Sequence, residues 1–130
     1  MIGFKNEKDK ELIWGLHPML VLIFLDMAQF AKKEHGIDLV ITATSSTLDD
    51  DIKLGRKSSA HREKRALDIR SKNINVWITK SIVDFINNKE EYRDYRYTSF
   101  SGIKRLAYVH TMPGQAEHIH LALSSEFALE

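Results

Sequence analysis

Two short segments, Ala66 to Arg70 and His118 to Leu123, alternate in character residue by residue, and this restricts the possible folds more than any other feature. Along a β-strand, successive side chains point to opposite faces of the sheet. Leu67 and Ile69 then share one face, and Ala66, Asp68 and Arg70 the other. In the second segment Ile119, Leu121 and Leu123 share one face, and His118 and His120 the other. If both strands belong to one sheet, their apolar faces pack on helices and their opposite faces bring Asp68 beside His118 and His120. The pattern that builds a core also builds a polar site.

Helices to cover such a sheet are legible. His17 and Pro18 open a segment in which Leu16, Leu20, Ile23, Phe24, Met27 and Phe30 recur at steps of three and four, one apolar stripe on a helix. Proline suits the first helical position, Lys32 and Lys33 suit the C-terminal end of the dipole, and Gly36 follows as a left-handed cap. The stripe reads as core rather than as a cofactor contact. Ile37 to Thr44 is β-branched and alternating, a further strand. Ser45 to Ser58 is polar and aperiodic, a long surface loop with room for one helical turn; loops of this length are often functional. Asn75 to Tyr92 reads as a second helix with Ile78, Ile82, Phe85 and Ile86 inward, Leu106 to His110 as a strand, and Met112, Pro113 and Gly114 as a turn. The aromatic and basic stretch from Tyr92 to Gly102 has no assignable period. The order implies one α+β domain over residues 1–130, its core at about 15–123, with helices on one face of a small antiparallel sheet.

Composition narrows the chemistry. With no cysteine, any metal must be held by His, Asp or Glu. A net charge of +1 makes no general case for nucleic acid or an anionic membrane, and no nucleic-acid partner is expected. The most apolar run, Met19 to Leu25, is far shorter than the ~20 residues that span a bilayer. The mixed charges from Lys5 to Glu11 do not resemble a secretory leader. The expectation is cytoplasmic synthesis without a signal peptide and without a membrane span.

A catalytic zinc site takes three protein ligands and keeps one position open for water. His61, Asp68 and His120 supply that count. Zinc lowers the pKa of bound water from ~16 to ~7, and a base must then accept the proton and pass it to the leaving group. Glu117, three residues before His120, is the candidate base, provided that it sits in a turn or bulge ahead of the strand. His118 shares the His120 face and could donate a hydrogen bond to a developing oxyanion. Spacing alone also fits a solvated polar face. His17 reads as a helix-start residue, His35 as exposed near a helix end, and His110 as a strand end that could lie behind the ligands. Arg56, Lys57 and Arg62 to Arg65 form a basic run that reads as a solvated loop. Tyr92, Tyr95, Tyr97 and Phe100 fit either the edge of the core or a substrate groove.

The ordered motifs resemble peptidase family M15, the zinc peptidases that include D-Ala-D-Ala carboxypeptidases and the L-alanyl-D-glutamate endopeptidases of phage endolysins. The likeness runs through Gly15, His17 and Pro18 with the helix after them, Asp38 to Thr42, and Ser59 and His61 through Ala66, Asp68 and Ile69. It continues to Glu117 and His120, so it covers about Gly15 to Leu123. It implies the hedgehog/DD-peptidase fold, zinc ligands His61, Asp68 and His120, Glu117 as base, and His118 as a second histidine ahead of the last ligand. Ser59 is implied as a substrate-binding residue, and Arg70, which shares the Asp68 face, is expected to bind substrate beside it. Two positions depart. The family glycine between the first two ligands falls at Lys64, and the family arginine after the first strand falls at Ser46, with Arg56, Arg62 or Arg70 as possible replacements. The resemblance implies a monomeric zinc metallopeptidase that hydrolyses peptidoglycan stem-peptide bonds next to D-amino acids. It would be a phage or prophage protein of cell-wall lysis, acting in the periplasm or wall after release or carried in a virion. The alternatives are a non-catalytic zinc-containing binding module of the same fold, or a small phage structural or nucleic-acid-binding protein.

Overall fold

In the computed structural model, which describes residues 2–99, 101–111 and 116–129, the two alternating segments pair as neighbours. The described residues form eleven α-helices and β-strands. They are β1 (Ile2–Phe4), α1 (Glu7–Leu12), α2 (Pro18–His35), β2 (Leu39–Ala43), α3 (Leu48–Lys53) and β3 (Ala66–Arg70), then α4 (Val76–Asn87), β4 (Tyr97–Thr98), β5 (Lys104–Arg105), β6 (Ala107–His110) and β7 (His118–Ala122). The main sheet has the order β1-β2-β3-β7-β6, and β4 and β5 form a separate two-stranded ribbon. The architecture is α+β, as expected.

The four expected strands run antiparallel to their neighbours as β2, β3, β7 and β6. The fifth, β1, pairs with β2 in parallel and makes the sheet mixed. A strand of three residues has too short a pattern to announce itself in sequence. Leu39, Ile41, Leu67, Ile69, Ile119 and Leu121 are fully buried on the face covered by α2 and α4. From α2 come Leu20, Ile23, Phe24 and Met27, and from α4 Ile82 and Ile86. Phe30 of α2 stacks on Phe85 of α4 at 4.0 Å between ring centroids.

His17 caps α2, its Nδ1 accepting from the Met19 N–H at 3.0 Å, and Gly36 ends it at φ 67°. The second helix stops at Asn87 instead of continuing to Tyr92, because Asn87 is drawn into the sheet. Its Oδ1 accepts from the N–H groups of Leu106 and Ala107 at 2.9 Å each, and its Nδ2 donates to the Ala107 carbonyl. Beyond it, Glu90–Tyr95 forms a 3₁₀ turn, which buries Tyr92 against the core and sends its hydroxyl to Asp26. Within the expected loop, Leu48–Lys53 forms a capped helix, with Thr47 and Asp50 closing a capping box. The expected turn at Met112, Pro113 and Gly114 lies outside the described residues, as does Phe100. Among the described residues no helix is long and apolar enough to cross a membrane.

Candidate metal centre

The β3–β7 register sets Asp68 directly opposite His120 and Arg70 opposite His118. Because the ladder pairs residues of like orientation, the polar sides of both strands meet, and Asp68 Oδ1 lies 2.9 Å from His120 Nδ1. Tyr108 of β6 stands across from His120 on the other side, its ring 5.4 Å away. On the opposite flank, β2 carries an irregularity between Ile41 and Ala43, where Ala43 rather than Thr42 comes opposite Asp68. Such bulges bend a strand and redirect the residues beyond it.

Thr44 is the first residue beyond β2, and its carbonyl lies 2.7 Å from His61 Nδ1. With Nδ1–H donating to that carbonyl, His61 presents Nε2 as its free lone pair, 3.3 Å from Asp68 Oδ1. A carbonyl behind a metal-ligating imidazole is the usual device for fixing tautomer and ring orientation. His61 itself comes from a turn, Lys64 N–H donating to the His61 carbonyl at 3.1 Å and the His17 N–H to the Lys64 carbonyl at 2.9 Å. Lys64 closes this turn at φ 60°. The position where the resemblance places a glycine therefore has the backbone that glycine favours, adopted here by a lysine.

One donor atom from each of His61, Asp68 and His120 lies within 4.8 Å of the others. A tetrahedral ion with bonds of about 2.0–2.1 Å holds its ligand atoms roughly 3.3 Å apart. The 3.3 Å between His61 Nε2 and Asp68 Oδ1 fits that spacing, while the 2.9 Å between His120 Nδ1 and Asp68 Oδ1 is the shorter distance of a hydrogen bond. Burial opposes the Asp68 charge, but the charge and hydrogen bonds of His61 and His120 outweigh it and hold the carboxyl far below its ordinary range. Burial pushes His120 down, against its hydrogen bond to Asp68, and so favours the neutral imidazole. A carboxylate between two imidazoles can hold a divalent cation of the zinc class, though the set is not specific to zinc.

His118 stands beside this trio, with Nε2 3.6 Å from Asp68 Oδ1 and Nδ1 3.3 Å from the Ala116 carbonyl. Glu117 precedes β7, in the position expected of a candidate base, and is exposed, its Oε1 accepting from Ser71 Oγ at 3.4 Å. A cleft of about 610 Å³ is lined by Glu117, His118, Asp68, Arg56 and Arg70. Ser59 does not line it; it lies on a second cleft that is also lined by His120. His110, on the edge strand β6, packs against His118 at 5.3 Å and Tyr108 at 5.3 Å. His35 is half-buried rather than exposed, because Ser81 of α4 meets its Nε2 at 3.0 Å.

The basic run is only partly solvated. Asp51, on α3, is buried, and it gathers Ser46 Oγ at 2.7 Å, Arg62 Nε at 2.6 Å and Arg56 Nη1 at 3.3 Å. Burial would raise the Asp51 carboxyl, but these hydrogen bonds outweigh it and hold the carboxyl low. Arg56 also reaches Asp68 Oδ2 with Nη2 at 3.5 Å, so one guanidinium bridges α3 and the cluster. Arg65 is buried, its Nε on Glu63 and its Nη1 on the Leu123 carbonyl. Ser46, where the resemblance places an arginine, thus helps to anchor the carboxylate that holds Arg56. Asp51 carries no signal in the sequence: it is one of three consecutive aspartates, and nothing local marks which of them turns inward.

Comparison with models of known protein families, with curated proteins and with solved structures finds no match for this chain.

Proposed function

We propose that this protein is a zinc-dependent peptidase that hydrolyses peptidoglycan stem peptides at an amide next to a D-amino acid. The observation that carries the reading is a buried trio of metal-competent side chains, one of which, Asp68, lines the same cleft as the Glu117 carboxylate. The substrate class rests on the ordered likeness of the motifs to the wall peptidases, whose hedgehog/DD-peptidase fold is part of the same proposal.

His61, Asp68 and His120 would hold the ion. Zinc bound there supplies a Lewis acid and makes water acidic enough to attack at neutral pH. Glu117, exposed and steadied by Ser71, takes the proton from the attacking water and returns it to the leaving amine. His118 has spent its Nδ1 on the Ala116 carbonyl, so it donates from Nε2 only when doubly protonated. Arg56, fixed by Asp51, and Arg70 offer cations to a substrate carbonyl or carboxylate in the first cleft. The protein would act on the wall as a monomer, after release from the cell or from a virion.

Incubation of the zinc-loaded protein with purified peptidoglycan should yield new stem-peptide termini in mass spectrometry. Glu117→Ala should keep stoichiometric zinc and lose cleavage. Equal cleavage by both proteins would remove Glu117 from the mechanism.

A second reading, a non-catalytic zinc-containing module of the same fold, is favoured by one observation. His118 Nε2, 3.6 Å from Asp68 Oδ1, offers a further nitrogen that could close the coordination shell. Closed four-ligand sites are structural, whereas catalytic ones stay open. Metal spectroscopy on the cobalt-substituted protein tests this: loss of a nitrogen ligand in His118→Ala, together with no cleavage by the wild type, would select the module.

A further inference from the structure

The second cleft, about 670 Å³, carries chemistry that the proposed hydrolysis does not use. Among the described residues its lining includes Lys57, Arg65 and Arg105 together with several hydroxyl groups, and no carboxylate. Arg65 is spent on Glu63 and the Leu123 carbonyl. The other two cations have no carboxylate partner among the described residues, and Arg105 is held in place by an aromatic ring. Its Cζ lies 4.1 Å over the Tyr108 ring centroid. A guanidinium stacked in this way is immobilised before any ligand arrives, which lowers the entropy lost on binding.

The same corner holds unsatisfied polar atoms. Tyr97 Oη and Arg105 Nε are both buried and have no hydrogen-bond partner. Tyr97 and Arg105 lie close enough to interact without a well-formed hydrogen bond, so the guanidinium has a phenol beside it and no anionic acceptor among the described residues. Burial raises the phenols of Tyr97 and Tyr108, which keeps them as neutral O–H donors. The corner is also close to the metal trio. His120 lines this cleft, and its ring lies 5.4 Å from Tyr108 and 6.4 Å from Tyr97. Together the two ring contacts keep Arg105 within about 10 Å of His120, the reach of roughly three extended residues.

We propose that the second cleft is a carboxylate-binding subsite, in which Arg105 and Lys57 hold an acidic residue of the peptide substrate while its backbone crosses the metal trio. The fork of a guanidinium matches the two oxygens of a carboxylate. The identity of the ligand rests on the peptidase reading; its binding does not require turnover.

The test measures affinity in the Glu117→Ala background, which stops cleavage. The probes are a short stem-type peptide containing D-glutamate and the same peptide with every carboxylate amidated. The free acid should bind about tenfold or more tightly than the amide, since a hydrogen bond to a charged group is lost in the amide. Amide NMR shifts should move at Tyr97, Arg105 and Tyr108. Arg105→Gln, which keeps a side-chain stem over Tyr108, should abolish the preference, and Lys57→Ala should reduce it. Thermal denaturation checks that each variant is folded, and Lys57→Ala at the exposed rim serves as the probe if Arg105→Gln does not fold. Equal affinity for the two peptides would overturn the proposal, as would a preference that survives both substitutions, because the carboxylate would then bind elsewhere. A wild-type protein that cleaves nothing would remove the peptidase reading and leave these affinities to decide the subsite.

Discussion

The candidate metal trio draws its side chains from two kinds of structure. Asp68 and His120 face each other across the middle of a sheet, each flanked by a further strand. Their separation is set by ladder spacing and is supported by fully buried neighbours, Leu67, Ile69, Ile119 and Leu121. His61 comes instead from a turn, held by one hydrogen bond to the Thr44 carbonyl and by a backbone closed through a left-handed lysine. Two of the three side chains are thus held by the fold as a whole, and the third by a few local contacts. A site made in this way should fail differently at its two ends.

The largest effects should come from the ligands themselves. Asp68→Ala and His61→Ala should each lose stoichiometric zinc, read by elemental analysis of the purified protein. Chelating the wild type should lower its stability by roughly 3 kcal/mol at a metal concentration a hundred times Kd, measured by denaturant titration. His61→Ala retaining a full equivalent of metal would mean that the turn is dispensable and would break the comparison. Next, Ile69→Ala, beneath the strand-borne pair, should cost about 3 kcal/mol by the same titration. Metal binding in that variant should recover whenever the protein is folded.

Arg56 supports the strand-borne end through Asp68 Oδ2. Arg56→Ala should weaken zinc affinity about 10–100-fold in a competition titration, the range for groups that orient a ligand. The carboxylate that anchors Arg56 gives this arm an acid limit. Because the folded Asp51 carboxyl is held low, its stabilisation is complete above the ordinary carboxylate pKa of about 4 and is lost as pH falls towards the depressed value. Asp51→Asn should flatten that acid limb in pH-dependent unfolding. The smallest effect belongs to the turn. Lys64→Gly should stabilise the protein by about 1 kcal/mol, since the left-handed backbone at φ 60° then costs nothing, while Lys64→Val should destabilise it. A neutral Lys64→Gly would show that the turn is unstrained and weaken the contrast.

Much of the strand-borne half is legible in sequence. Alternation puts Leu67 and Ile69 opposite Asp68, and Ile119 and Leu121 opposite His118 and His120, and the apolar core follows that division, although Ala66, Asp68 and His118 on the other face are buried as well. The first long helix is legible because its apolar stripe, proline start and glycine end agree. Periodicity overstates the second, because it continues past Asn87, where a side chain is diverted to the sheet. Strand β1, the burial of Asp51 and the bridge through Arg56 have no local signal. The second cleft is equally hidden, since Lys57, Tyr97, Arg105, Tyr108 and His120 come from separate parts of the chain.

The sequence by itself determined which residues share a face and where the long helix begins and ends. Those properties depend on dihedral periodicities of a few residues and on caps that act over a single turn. Tertiary structure alone decided which Asp turns inward, which arginine reaches the trio, how a lysine comes to occupy a glycine backbone, and what lies on the far side of His120. Each of these depends on pairing between segments far apart in the chain, and the free energy of such pairing has no counterpart in any short window of residues.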